Sequence, residues 1–173
     1  MSYRITNQIR VFVNDVMLNE QRMESCRDGP KVSYMRCNHY TTERVIVNKI
    51  KELMESGSKQ DDFFILAGSI KGYNMKRLEN TLVMNGIDCF VPLFETDKLD
   101  ERVIMGKIGL STFHSVKGRQ RKYVFVMGFD QNYFSYYGRN LNTYECPNTL
   151  YVAATRASEE LFLCESSNTK FDR

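Results

Sequence analysis

The chain has 173 residues, 42% of them hydrophobic and 26% charged, with a formal net charge of +3 at pH 7. That size and balance fit one globular domain with a core of its own. No apolar run approaches the roughly 20 residues that cross a bilayer, and the opening MSYRITNQIR lacks the apolar stretch of a secretory signal. A cytoplasmic or nuclear setting is therefore expected, and a charge this mild does not by itself argue for a nucleic-acid partner.

Apolar residues Ile5, Ile9, Phe12, Val13, Val16 and Met17 recur at helical spacing, which predicts a helix from about Thr6 to Asn19. Residues 20–31 are polar and contain the turn signal Gly29-Pro30. KVSYMRC (31–37) reads as a strand. Thr41-Thr42-Glu43 opens a second helix, with Val45, Ile46, Ile50, Leu53 and Met54 on one face and Gly57 as its C-cap. DDFFILAG (61–68) is a short and nearly continuous apolar run, as a strand buried on both faces requires. Residues 74–85 form a third helix with Leu78, Leu82 and Val83 directed inward. IDCFVPL (87–93) is a strand, and the charged stretch 94–106 is a loop or a short excursion. KIGLSTF (107–113), KYVFVMG (122–128) and ELFLCE (160–165) are three further strands. A Tyr/Asn/Gly-rich loop and a helix opening near Pro147 separate the last two. Residues 166–173 read as a frayed tail. The alternation predicts one α/β domain over residues 1–165, with a largely parallel sheet and helices on both faces. Its functional loops should lie beyond the carboxyl ends of strands, after Phe113 and after Gly128.

The five cysteines, Cys26, Cys37, Cys89, Cys146 and Cys164, are odd in number and form no CxxC pair. They suggest neither a disulfide framework nor a zinc site. Cys26, Cys37 and His39 lack a fourth ligand, so no metal is expected, and reduced buried thiols are the better reading.

Two segments carry chemistry. Ser111-Thr112-Phe113-His114-Ser115-Val116-Lys117-Gly118 follows a strand and offers hydroxyls, an imidazole, an ammonium and a glycine. These suit phosphate or sugar oxygens, although a polar turn relieved by Gly118 has the same composition. In Leu150-Tyr151-Val152-Ala153-Ala154-Thr155-Arg156-Ala157, small alanines let a helix pack close to its sheet and end in an arginine. Held in this way, a guanidinium presents a rigid fork to phosphate. The plain alternative is a helix-terminal arginine favoured by the dipole. Tyr133, Phe134, Tyr136 and Tyr137 beside Arg139 could stack on bases or pack and form an interface. Lys71, Lys76 and Arg77 read as a solvated helix face.

Taken together, the Thr112-x-His114-x-x-Lys117-Gly118 motif and Tyr151-Val152-Ala153-x-Thr155-Arg156-Ala157, which runs into Leu161-x-Leu163, resemble motifs V and VI of UvrD/Rep-like superfamily 1 helicases. Ser2-Tyr3-Arg4-Ile5-Thr6 is similar to motif IV, and Arg77-Leu78-Glu79 to a pattern common in the helix that follows. The resemblance spans roughly residues 2–165. It implies the C-terminal RecA-like domain of an ATP-dependent DNA helicase or translocase, without the large inserted subdomain of UvrD and Rep. In such motors ATP and Mg2+ sit between two RecA-like domains. The N-terminal RecA-like domain of the same polypeptide supplies the phosphate-binding loop, the metal carboxylates and the catalytic base. By resemblance, Arg156 and Arg4 would be the arginines that reach the γ-phosphate, and Tyr3 would stack on the adenine. Thr112 and His114 would face single-stranded DNA, while Lys117 and Gly118 would link that track to the nucleotide. The His114-Ser115-x-Lys117-Gly118 form of motif V implies 3′-to-5′ movement.

Arg119-Gln120-Arg121-Lys122 departs from the family's Leu-Glu-Phe, whose Glu bonds the ribose. Gln120 keeps a hydrogen-bonding group there, and the added basicity could favour nucleic-acid phosphates instead. No GxxxxGK[ST] occurs, so this chain by itself is expected to hydrolyse no ATP. The second reading is a degenerate helicase half acting as a nucleic-acid or protein interaction module without ATPase activity.

Overall fold

A computed structural model describes residues 5–165 apart from 39, 96, 98, 143 and 144. Six strands form one sheet: β1 (Ser33–Met35), β2 (Phe63–Ala67), β3 (Cys89–Phe90), β4 (Ile108–Thr112), β5 (Arg121–Met127) and β6 (Ala157–Cys164). Their spatial order is β1-β6-β5-β2-β4-β3, and every pairing is parallel, with Phe64 opposite Gly109 and Val124 and Ile65 opposite Leu110 and Phe125. The expected largely parallel sheet is wholly parallel among the described residues. Continuous apolar runs make this possible, because a strand covered on both sides has no polar face to show.

Alternate residues of each strand feed two separate cores. Phe63, Ile65, Phe125 and Phe162 point to one face, where they meet Ile46, Val47 and Ile50 of α2 (Thr42–Glu55) and Leu78 and Leu82 of α3 (Tyr73–Met84). Phe64, Leu66, Val124, Val126, Leu161 and Leu163 point to the other. There they pack under Ile5, just ahead of the first helix, under Ile9, Val13 and Met17 within it, and under Leu150, Ala153 and Ala154 of α6 (Asn148–Ala154), which follows the short α5 (Asn132–Tyr136). The helices thus cover both faces, as the sequence predicts.

The first helix starts where expected. The Thr6 hydroxyl accepts from the Ile9 N–H at 3.4 Å and caps α1 (Asn7–Val11). The chain then continues as a wider π-helical stretch, Phe12–Leu18, and stops at Asn19 in the left-handed region, φ 51°. Within that stretch the fully buried Asn14 organises the polar segment behind it. Its amide donates to the Met23 carbonyl at 2.8 Å and its oxygen accepts from the Arg22 and Met23 N–H groups.

Four expectations change. Val83 is 62% exposed, because it lies about 100° round the helix from Leu82 and off the stripe of Met75, Leu78 and Leu82. Of 87–93 only Cys89–Phe90 pairs, along the sheet's outer edge, before Pro92 ends the run. Residues 94–106 contain one helical turn, α4 (Glu101–Ile104), capped by the Asp100 carboxylate on the Arg102 N–H at 2.9 Å. The thiols are all free, but only Cys37 and Cys164 are buried, and Cys26 is exposed. His39 and the 166–173 tail lie outside the described residues. Among the described residues no three His, Cys, Asp or Glu side chains gather as a metal would require, and no helix is long and apolar enough to cross a membrane.

Gly109 on β4 is where backbone must pass close to a ring. A Cβ there would sit 2.8 Å from two carbons of the buried Phe64 side chain. Gly109→Ala is expected to lower the unfolding free energy by about 1–3 kcal/mol through overpacking. Urea denaturation of the chain checks this, and an unchanged midpoint would mean that Phe64 can step aside.

Candidate functional site

The site is built at the two ends of one short connection. Because β4 and β5 are parallel, residues 113–120 must return from the carboxyl end of one strand to the amino end of the other. The register sets these ends about 20 Å apart along the strands. Two buried side chains, Phe113 and Val116, pin the connection to the face that also holds Phe64 and Val124.

At the upper end Thr112 is only 3% exposed. Its hydroxyl accepts from the Ser115 N–H at 3.2 Å and donates to the Glu95 carbonyl at 3.4 Å. The Ser115 hydroxyl also donates to that carbonyl. Thr112 therefore shapes the turn from within, and His114 and Lys117 stand on the surface. They share a cleft of about 530 Å³ with Gly68, Glu95, Ser115 and Arg119. Gly118 follows at φ +86°, a backbone state that side chains disfavour, with open space where a Cβ would be.

At the lower end the chain enters β5 beside the turn that joins α6 (Asn148–Ala154) to β6. Arg156 is held along its length. Its Nε donates to the Val152 carbonyl at 2.9 Å, Nη2 reaches the Thr155 hydroxyl at 3.2 Å, and Nη1 reaches the Arg119 carbonyl at 3.4 Å. Gln120 donates its amide to the Thr155 carbonyl at 3.1 Å, and the Arg121 N–H donates to the Arg156 carbonyl at 3.1 Å. Arg156, Gln120, Lys117 and Gly118 thus lie on or beside one connection. Tyr3 and Arg4 lie outside the described residues.

The basic run next to Gln120 is paired within the chain. Arg119 and Arg121 both pair with Glu101, at 2.7 and 2.6 Å, and Lys122 pairs with Asp62 at 3.1 Å. Arg121 also lies 4.7 Å over the Phe64 ring. Any phosphate that met this run would have to compete with these carboxylates. Arg119 still borders the cleft that holds His114, and Glu101 and Asp62 are the carboxylates that engage the run. The Arg121 hydrogen bond, and after it that of Arg119, hold the Glu101 carboxyl below its usual range despite some burial. The sign follows directly. A depressed folded value adds stability above the unfolded carboxylate range, and the gain is lost as pH falls through the folded value. Glu101 went unread in the sequence. It sits in a charged excursion some twenty residues from its partners, and its only signal was an acid facing an unusually basic strand entry.

The aromatic group divides. Tyr133 and Phe134 are buried and stack edge to face, with centroids 5.8 Å apart, whereas Tyr136 and Tyr137 are 71% and 54% exposed. Packing accounts for the first pair and in part for Tyr137, whose ring centroid lies 5.7 Å from that of Tyr133. Arg77 forms an ion pair with Glu43 that ties α3 to α2, so it is not a plain solvated charge, while Lys76 is exposed.

Residues 92–168 match the UvrD-like helicase C-terminal domain family. Over 153 residues the chain is 28% identical to a protein of Acanthamoeba polyphaga mimivirus that carries the name of an ATP-dependent DNA helicase, covering 81% of this chain and 21% of that one. Over 71 residues it is 38% identical to a protein of Mycoplasma capricolum named as a DNA helicase II homologue, covering 39% and 10%. The chain therefore spans about a fifth and a tenth of the relatives it matches. A solved structure of the C-terminal domain of a possible DNA helicase from Lactobacillus plantarum superposes with a TM-score of 0.68. That match covers 98% of this chain and 91% of the other at 19% identity, a likeness of fold.

The Thr112 turn generates a test. Thr112→Val keeps the shape but leaves the Ser115 N–H without its acceptor. An unsatisfied, partly buried donor costs about 1–3 kcal/mol, and thermal or urea unfolding should register a loss in that range. Thr112→Ser, which keeps the hydroxyl, should recover most of it. Equal losses in the two variants would assign the effect to packing.

Proposed function

We propose that this chain, which matches the UvrD-like helicase C-terminal domain family over residues 92–168, is the second motor domain of an ATP-dependent DNA helicase or translocase. Its partners are then single-stranded DNA and the N-terminal RecA-like domain of the same full-length polypeptide, which would hold most of the ATP and its Mg2+. The observation that carries this reading is the 113–120 connection. One end displays His114 and Lys117 and the other end is hydrogen-bonded to Arg156, so one segment would link a strand-facing loop to a phosphate-facing arginine.

In this reading Arg156 meets the negative charge that develops on the transferred phosphoryl group. Its three hydrogen bonds fix the guanidinium in advance, so little reorganisation is needed at the moment of reaction. The donor set suits an anion: the side chain cannot lose its proton, and its planar fork matches phosphate oxygens. Arg4 would be the second arginine and Tyr3 the adenine platform. Gln120, whose amide is engaged by Thr155, would present its oxygen rather than its nitrogen to a ribose hydroxyl. Lys117 and Gly118 would couple the nucleotide side to His114. Thr112 would act by shaping the loop that contacts the strand. With the phosphate-binding loop on another domain, the isolated chain would be inactive. Closure of the cleft on ATP and its reopening after hydrolysis would then move the His114 loop along DNA.

Arg156→Ala in the full-length protein should lower kcat for ATP hydrolysis by about 10³-fold or more with nucleotide binding largely kept. A change under about tenfold would remove Arg156 from the reaction. The isolated domain should bind a single-stranded oligonucleotide weakly, with affinity falling as salt rises. His114→Ala and Lys117→Ala should each weaken it further in a fluorescence anisotropy titration. Salt-independent binding, or binding untouched by both changes, would point to the interaction-module reading.

A further inference from the structure

We propose that Glu101 is a positioning residue for Arg156, acting through Arg119 and Arg121; the inference rests on the reading of Arg156 as the phosphate-facing arginine. Three consecutive residues hold two. The Arg119 carbonyl accepts from the Arg156 guanidinium, the Gln120 amide donates to the Thr155 carbonyl, and the Arg121 N–H donates to the Arg156 carbonyl. Arg119 and Gln120 precede β5 and lie outside the strand ladder. Another constraint has to fix them, and their neighbouring side chains supply it.

Residues i and i+2 of an extended segment project to the same side. Arg119 and Arg121 do so, and one carboxylate takes both: Oε1 receives Arg119 at 2.7 Å and Oε2 receives Arg121 at 2.6 Å. The carboxylate has a firm base. It opens α4, which is capped by Asp100 and anchored by the fully buried Ile104. The arginines are the more enclosed partners, with side chains 25% and 15% exposed against 53% for Glu101. Removing the acid would leave Arg121 charged over the Phe64 ring, with a buried Nε that has no hydrogen-bond acceptor. A partly buried charge stripped of its counter-ion moves toward water. Because Arg121 Nη1 also donates to the Gln120 carbonyl at 3.0 Å, that movement pulls on the backbone that holds Arg156. The clamp thus turns an exposed carboxylate into a determinant of where a guanidinium sits.

The test uses the full-length protein and reads kcat and KM for ATP separately. Glu101→Gln removes the charge and keeps the size. It should lower kcat by roughly ten- to a hundredfold, the scale of an ångström-level misplacement, and leave KM for ATP within about threefold, since the lost interaction is one made in the transition state. Arg119→Ala, which removes half of the clamp, should fall between Glu101→Gln and the unmodified protein. In an Arg156→Ala background, Glu101→Gln should cost nothing further, because both changes act on one group. Normal kcat for Glu101→Gln in a protein that Arg156→Ala inactivates would overturn the positioning role. Normal kcat for Arg156→Ala would overturn the reading beneath it. If Glu101→Gln failed to fold, Arg119→Ala would decide alone: an intermediate kcat at unchanged KM supports the clamp, and normal kcat overturns it.

Discussion

In an all-parallel sheet the amino and carboxyl ends of the strands lie on opposite sides, and every connection must cross from one to the other. Most connections here do so through a helix. The 113–120 segment does so with two buried anchors and almost nothing else, and this economy gives it its importance. Groups at its ends, His114 and Gln120, are separated by most of the sheet's depth yet joined by a few residues fixed at Phe113 and Val116. A displacement at either end has little slack in which to disappear. The small alanines of α6 complete the arrangement by letting the Arg156 turn approach the start of β5 closely.

Electrostatics at the lower edge follow from the same geometry. Arg119 and Arg121 are partly enclosed, Arg121 over the Phe64 ring, a poor environment for uncompensated charges, whereas Lys122 stays exposed. Glu101 and Asp62 compensate them from two different connections. The basic run thus stitches the 94–106 excursion and the approach to β2 onto β5. The net charge of +3 carries no trace of this, because two carboxylates offset most of the three positive charges locally.

The sequence was most legible where one physical pattern sufficed. Continuous apolar runs marked β2, β5 and β6, helical spacing marked α2, and Gly57 and Pro147 marked helix ends. Motifs V and VI, read by resemblance, led to the connection and to Arg156. What could not be read depended on distance in sequence. The pairing of Glu101 with two arginines, the burial of Thr112 and the turn of Gln120 toward Thr155 are decided by packing between segments 17–35 residues apart. Val83 shows the limit of periodicity, since an apolar residue one position off the stripe counts as inward by composition and faces water by geometry. Arg4 and Tyr3 rest on motif resemblance alone.

The two faces of the sheet are built to different standards of stiffness. One is covered by α2 and α3, of 14 and 12 residues, each an unbroken ladder of hydrogen bonds. The other is assembled from pieces: a five-residue helix running into seven π-helical residues, a four-residue turn at α4 and a seven-residue α6. Phe113, Val116, Leu150, Ala153 and Ile104 all belong to this pieced face. Short elements open at lower free energy than long ones, so the molecule resembles a rigid plate carrying a jointed mechanism on one side. The segments that carry His114, Arg156 and Glu101 thus all lie on the face built from short elements, and two long helices frame the opposite face.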